Sequence, residues 1–185
     1  MKKRISAVTL LLFLFALSGA LNASGKEKSA EKPDMALKEV KPFSYCALHH
    51  KGPFTDIETV IGRLMQSMQN QNISPQGAMF GVYYNSPDEV KPEDLEWEMG
   101  FPITEQVLVQ EPLEKKQWAF TQVASTIHTG PYEETGQTIT KLLEWMQNNN
   151  LSPTGPVLER YLTVPGPNTK PEDMKSEIWI PCKKI

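Results

Sequence analysis

The chain is poor in the residues that catalytic and metal-binding proteins display most openly. It has three histidines and two cysteines among 185 residues. It contains no His-Glu-x-x-His, Cys-x-x-Cys, Gly-x-Ser-x-Gly or glycine-rich phosphate loop. Zinc hydrolysis, dithiol redox chemistry and serine-nucleophile chemistry therefore lack their ligands or nucleophiles, and no cofactor or metal is implied. A membrane-spanning run is also missing. The apolar stretch at residues 7 to about 17 is shorter than the roughly 20 residues a spanning helix needs. Positive charge is scarce too: without Lys2, Lys3 and Arg4 the chain holds 16 basic residues against 22 acidic ones. A nucleic-acid partner needs a basic face to displace counterions, so nucleic acid is excluded as a partner.

What is present begins with a leader. Lys2, Lys3 and Arg4 precede the apolar run, and small residues follow, which is the pattern of a secretory signal peptide over residues 1–23. Residues 24–37 are charged and small and read as a flexible tether. Residues 38–185 then suffice for one compact domain. The expected location is periplasmic or secreted, with no membrane span once the leader is removed, and the expected state is a monomer. In such a compartment Cys46 and Cys182 either pair as a disulfide or remain two buried thiols, and the residues leave both open.

The domain repeats itself. "HKGPFTDIETVIGRLMQSMQNQNISPQG" from His50 matches "HTGPYEETGQTITKLLEWMQNNNLSPTG" from His128 at 12 of 28 positions, an offset of 78. One extra residue later, "KPEDLEWEMGFP" and "KPEDMKSEIWIP" share six of twelve. Chance pairing of two such 28-residue stretches gives about two matches. Two copies of one unit are therefore expected, over about 38–103 and about 117–185. His50 and His128 occupy the same repeat position beside Gly-Pro turns and read as structural; His49 has no independent case.

In each copy a β-leaning segment is followed by a Gly-Pro-aromatic turn and an amphipathic helix. Ile57, Val60, Ile61, Leu64, Met65 and Met68 form one apolar stripe, and Thr135, Ile139, Leu142, Leu143 and Met146 form the other. Thr55 and Glu58 have capping-box spacing. Asn-rich runs before Ser-Pro end both helices. Strands are expected at residues 78–84, 95–103, 157–164 and 176–182. The fold class is α+β: two strand-helix-strand-strand modules in pseudo-twofold duplication around a central ligand cleft.

Alternation predicts which strand residues face the helices. Trp97, Met99, Phe101, Ile178, Ile180 and Cys182 belong against them, leaving Glu98, Glu177 and Trp179 on the uncovered side. Taking Phe80, Val82, Leu158 and Leu162 as helix-facing adds Tyr83, Glu159 and Tyr161 to the uncovered side, and leaves Arg160 unexplained unless a bulge or an edge position accounts for it. Two uncovered faces that meet then enclose a cleft with carboxylates and aromatic walls, suited to amphipathic or cationic organic molecules.

The Gly-Pro-Tyr at residues 130–132, Trp145, Tyr161 and the Glu177-Ile178-x-Ile180-Pro181 run together resemble the GyrI-like small-molecule-binding domain, found also as the effector-binding half of AraC-type and MerR-type regulators. The resemblance covers about residues 38–185. It implies paired modules around a cleft for hydrophobic, often cationic compounds, with the central carboxylate at Glu177 and aromatic walls at Tyr161 and Trp145. Some members resemble hydrolases that open cyclopropane-bearing compounds, which makes Glu177 and Tyr161 the catalytic candidates. No helix-turn-helix region precedes the domain, so the regulators' DNA-binding role transfers poorly.

Three functions remain after these exclusions. The first is an exported binding protein for a small hydrophobic or amphipathic molecule, with ligand contacts at Glu177, Tyr161, Trp145, Glu98, Tyr83, Trp179 and Glu159. The second is a hydrolase of strained or reactive electrophiles that uses the same glutamate. The third is a protein-interaction domain whose cleft is filled by its own side chains. Whether the protein is an enzyme is left open by the residues.

Overall fold

The computed structural model describes residues 34–166 and 168–185. The expected leader and all of the tether before Asp34 lie outside the described residues. Two 14-residue helices lie on a mixed-order but wholly antiparallel nine-stranded sheet. In chain order the elements are β1 (Ala36–Glu39), β2 (Phe43–Lys51), α1 (Ile57–Asn70), β3 (Phe80–Tyr83), β4 (Glu96–Pro102), β5 (Glu114–Trp118), β6 (Gln122–Thr129), α2 (Thr135–Asn148), β7 (Leu151–Pro153), β8 (Val157–Tyr161) and β9 (Lys175–Lys184). The sheet runs β1-β6-β9-β8-β3-β4-β2-β5, with β7 paired to the end of β9. Strand β1 takes in Ala36 and Leu37, so ordered structure begins two residues before the expected end of the tether. Among the described residues no helix is long and apolar enough to cross a membrane.

Both helices are entered in the same way. Gly52 and Gly130 adopt φ of 149° and 137°, which a side chain rarely tolerates, and a 3-10 turn follows each proline. The amides of Asp56 and Glu134 donate to the carbonyls of Pro53 and Pro131 at 3.0 Å. The expected capping box does not form: Asp56, not Thr55, stands at the N-cap, and no side chain caps the helix. The 3-10 turn already gives the Asp56 amide a partner, and with Asp56 at the N-cap the Thr55–Glu58 pair is one residue out of step. Both helices stop as expected, at left-handed Asn72 and Asn150 (φ 54° and 56°).

Helix α1 buries Val60, Leu64 and Met68 against Cys46, Leu48, Trp97 and Met99. Helix α2 buries Leu142 and Met146 against Ala124, Ile178, Ile180 and Cys182. Each such side chain contributes about 1.5–3 kcal/mol of burial free energy. The two cysteines are free and sit in these separate clusters. Four strand spacings, roughly 19 Å along the sheet, separate β2 from β9, far beyond the reach of a disulfide.

The opposite face is not open. Residues 40–42 alone join β1 to β2, and residues 119–121 alone join β5 to β6, although each pair lies six strands apart in the sheet. Six spacings measure about 29 Å in a flat sheet, whereas so short a link reaches at most ~14 Å. The sheet must therefore curl until its edges approach, and the two links meet where the Val40 amide donates to the Thr121 carbonyl at 2.8 Å. The curl encloses Tyr45, Phe80, Val82, Trp118, Val123, Leu158 and Trp179 as a third buried cluster. Phe80, Val82 and Leu158, expected beneath the helices, belong here instead, and the centre of the expected cleft is filled by them.

Candidate functional site

The register of the central strands sorts the candidate residues onto two faces. Arg160 pairs with Glu177 and Leu158 with Trp179, while Glu159 pairs with Ile178 and Tyr161 with Ser176. Tyr83 pairs with Trp97 and Val82 with Glu98. Glu98, Glu177 and Trp179 therefore lie on the curled face. Tyr83, Glu159 and Tyr161 lie on the helix-covered face, opposite to the side alternation predicted. Trp145, on α2, packs, as Ile139 and Val157 do, against the buried cluster on that same covered side. The two catalytic candidates, Glu177 and Tyr161, are split between the two faces of the sheet.

The two acids of the curled face are already neutralised. Glu177 accepts hydrogen bonds from Lys38 at 2.7 Å and from Arg160 at 2.6 Å. Both cations also lie over the Trp179 ring, at 5.4 and 5.0 Å from its centre. Burial would raise the Glu177 carboxyl, but Lys38, Trp179 and Arg160 outweigh it and hold the pKa below the usual carboxylate range. Arg160 needs neither bulge nor edge: it sits in the central strand β8 as the partner of Glu177. Glu98, fully buried, accepts from Tyr45 Oη at 2.8 Å and pairs with Lys116. Lys38 and Lys116, each on an edge strand, stand 78 residues apart.

Glu159 is different. It lies on β8 between the regions covered by α1 and α2, is 3 % exposed, and has no cationic partner among the described residues. Burial pushes its pKa up to about 7, with Ser176 and Thr135 close enough to pull partly the other way. Above it the Tyr83 and Tyr161 hydroxyls meet at 2.6 Å. Phe54 packs edge-on against Tyr83 at 5.5 Å, and Tyr132 against Tyr161 at 5.0 Å. Gly81, in register with Glu159, makes this arrangement possible: a Cβ there would stand 2.8 Å from the Tyr83 hydroxyl, so Tyr83 can lie across it only because the side chain is absent. Burial first, and the nearby Glu159 carboxylate second, raise the Tyr83 and Tyr132 phenols. Tyr161 is raised by burial, by Tyr83 and by Glu159.

The sequence argument missed Gly81, Phe54, Thr135, Ser176, Lys38 and Lys116 as parts of these constellations. A position-by-position comparison at the 78-residue offset carries the signal for several of them. His50 and His128 act as turn braces: His50 contacts Asp56 at 2.9 Å, and His128 contacts Thr138 at 2.8 Å and the Pro131 carbonyl at 3.0 Å.

The fold is an α+β domain, two helices over a curled antiparallel sheet, with a buried acid and aromatic rings on the helix-covered face. Residues 33–183 match the GyrI-like small molecule binding domain, and the chain belongs to that family. Among solved structures it resembles the C-terminal domain of EcmrR, with TM-score 0.71 and 19% identity over 83% of this chain and 99% of that one. It also resembles EcmrR in its DNA complex, with TM-score 0.73 and 17% identity over 83% of this chain, and it spans 58% of that longer chain. SAV2435 bound to tetraphenylphosphonium gives TM-score 0.57 at 13% identity, over 81% of this chain and 94% of that one. A hydrolase from Listeria innocua gives 0.56 at 14%, over 80% and 91%. At these identities the likeness is one of fold. Comparison with curated proteins finds no match.

Proposed function

We propose that the domain binds an amphipathic organic cation whose charge rests on Glu159, beneath the Tyr83–Tyr161 pair, and not on Glu177. One observation carries this reading: Glu159 is the buried acid without a positive partner among the described residues, whereas Glu98 and Glu177 are matched by lysine or arginine. Tyrosine faces around a buried carboxylate favour a cation with apolar bulk. The tetraphenylphosphonium held by SAV2435 is a ligand of that chemistry on the same fold. The Tyr83 and Tyr161 hydroxyls meet over this acid, so a ligand reaching it has to part the two rings.

The pH dependence follows from the acid. Glu159 must be ionised to attract the cation, so affinity rises with pH up to about 7 and levels off above it. Titration with tetraphenylphosphonium at pH 8, followed by calorimetry, tests the assignment. Glu159→Gln should weaken binding by about tenfold or more and abolish the pH dependence, while Glu177→Gln should change affinity by less than about twofold. Unchanged affinity in Glu159→Gln removes that residue from the site.

The reading extends to the setting of the domain. The basic and apolar leader supports export to the periplasm or beyond. The sheet order supports duplication, because it is unchanged when β1, β6, β9 and β8 are exchanged for β5, β2, β4 and β3. A second activity has one specific support. A carboxyl with a pKa of about 7 is poised for general acid–base work, and here it neighbours tyrosine hydroxyls. In that reading Glu159, not Glu177, directs the proton, and incubation with a cyclopropane-bearing electrophile yields a ring-opened product. Recovery of the intact compound after many hours leaves binding as the activity.

A further inference from the structure

Four positions on the helix-covered face differ in kind between the two halves of the sheet. At the offset of 78, or 79 beyond the extra residue, Glu159 stands where the first half has Gly81. Thr126 replaces Leu48, Thr135 replaces Ile57 and Ser176 replaces Trp97. In the first half these places are sealed with hydrocarbon: Leu48 and Trp97 are buried beneath α1, and Ile57 packs on them. In the second half the same places form a polar niche beneath α2. Thr126 and Glu159 flank Ile178 from strands β6 and β8, and Ser176 lies two residues before Ile178 on β9, between His128 and Tyr161.

The niche is polar but unsatisfied. Ser176 and Thr126 are 0 % and 2 % exposed. Glu159 Oε1, Ser176 Oγ and Thr126 Oγ1 have no formed hydrogen bond among the described residues, although the Ser176 hydroxyl lies near enough to the Glu159 carboxyl to favour its ionised form. The neighbouring polar groups are committed elsewhere: Thr135 Oγ1 donates to the Tyr132 carbonyl, and both His128 ring nitrogens have partners. Buried polar atoms are normally paired, because an orphan forfeits its hydration for nothing. Three orphans on the adjacent strands β6, β9 and β8, where the other half holds Leu, Trp and Gly, mark a place suited to a hydrogen-bonding guest.

We infer that the cationic head of the ligand is a protonated primary or secondary amine and not a quaternary onium; the inference rests on the seat at Glu159 proposed above. An ammonium presents N–H donors, which Glu159 Oε1 and Ser176 Oγ accept, while Thr126 Oγ1 offers a further acceptor. A quaternary group has no N–H, so it would leave all three atoms buried and unpaired. Sites built to hydrogen-bond a guest discriminate strongly against analogues that lack the donor. Size acts in the same direction: with serine in place of tryptophan, a compact ammonium has less bulk to displace than a trimethylated one would, while the apolar remainder of the ligand stays among the tyrosines.

The test is a matched pair, 1-naphthylmethylamine and its N,N,N-trimethyl counterpart, titrated calorimetrically into the full chain at pH 8. The amine should bind at least about tenfold more tightly. Ser176→Ala should reduce that preference to about threefold or less, chiefly by weakening the amine, and the isosteric Thr126→Val should act in the same direction. Equal or tighter binding of the trimethyl compound overturns the inference. So does an unchanged preference in Ser176→Ala and Thr126→Val, which would assign the niche to buried water. Failure of both compounds to bind the folded wild-type protein instead sinks the seat on Glu159 itself.

Discussion

Beneath α1 the sheet is packed with hydrocarbon around Trp97, whose indole N–H reaches the Gly52 carbonyl at 2.9 Å, whereas beneath α2 the same position is Ser176, beside an unpaired buried glutamate. The two halves share strand order, helix length and turn chemistry, so their difference is not one of architecture. One half packs hydrocarbon beneath its helix, and the other keeps polar atoms in a dry place, as the proposed seat at Glu159 requires. That division is common where a scaffold carries a site.

Four substitutions would break or sharpen the comparison. The largest effect belongs to Trp97→Ala, which leaves a cavity under α1 and should cost about 3–5 kcal/mol in urea unfolding. Ser176→Ala, at the equivalent place, should change stability by less than about 1 kcal/mol or raise it, because it deletes an orphan hydroxyl. Equal losses from the two would erase the distinction between structural and functional halves.

Next comes the pH dependence of stability. The folded Glu159 carboxyl keeps its proton up to about pH 7, whereas the unfolded one releases it in the ordinary carboxylate range. The folded state therefore binds more protons between those limits, and stability falls as pH rises through that window, by on the order of 3 kcal/mol in all. Unfolding midpoints measured from pH 4 to 8 should show this decline in the wild type and its absence in Glu159→Gln. Glu177 works in the opposite sense. Its lowered pKa contributes stability above the unfolded carboxylate range that is lost as pH falls through the folded value.

A smaller loss than that of Trp97→Ala is expected at Arg160→Met. In the other half Val82 stands opposite Glu98, which relies on Tyr45 and Lys116 instead. Removing Arg160 leaves Glu177 with Lys38 alone, and should cost about 1–2 kcal/mol near neutral pH while flattening the acid limb of the stability curve.

The residues themselves carried much of this outcome. The apolar stripes of α1 and α2, their Asn-terminated ends, the strands β2, β4 and β9 and the helix-facing sides of β4 and β9 follow from local periodicity, because helix and strand spacing decide which side chains share a face. Four of the seven expected ligand contacts, Tyr83, Tyr161, Glu159 and Trp145, fall on one side together. The sidedness of β3 and β8 was not legible. Alternation names two faces but not which is covered, and both faces of these central strands are buried. Phe80 and Leu158 read as helix-facing because they are apolar, yet the curl of the sheet made the other face apolar as well.

By itself, then, the sequence determined both helices, the strands β2, β4 and β9 and the family, since these depend on short-range spacing and on motifs a few residues long. Only the tertiary structure decided which acid is free. Pairing Lys38 with Glu177, across 139 residues of chain, requires the edge strand β1 to lie along β6. The register of β8 against β9 then sends Arg160 to one face and Glu159 to the other. Charge neutralisation acts over a few ångströms in space, and positions along the chain do not report such distances until the sheet has closed.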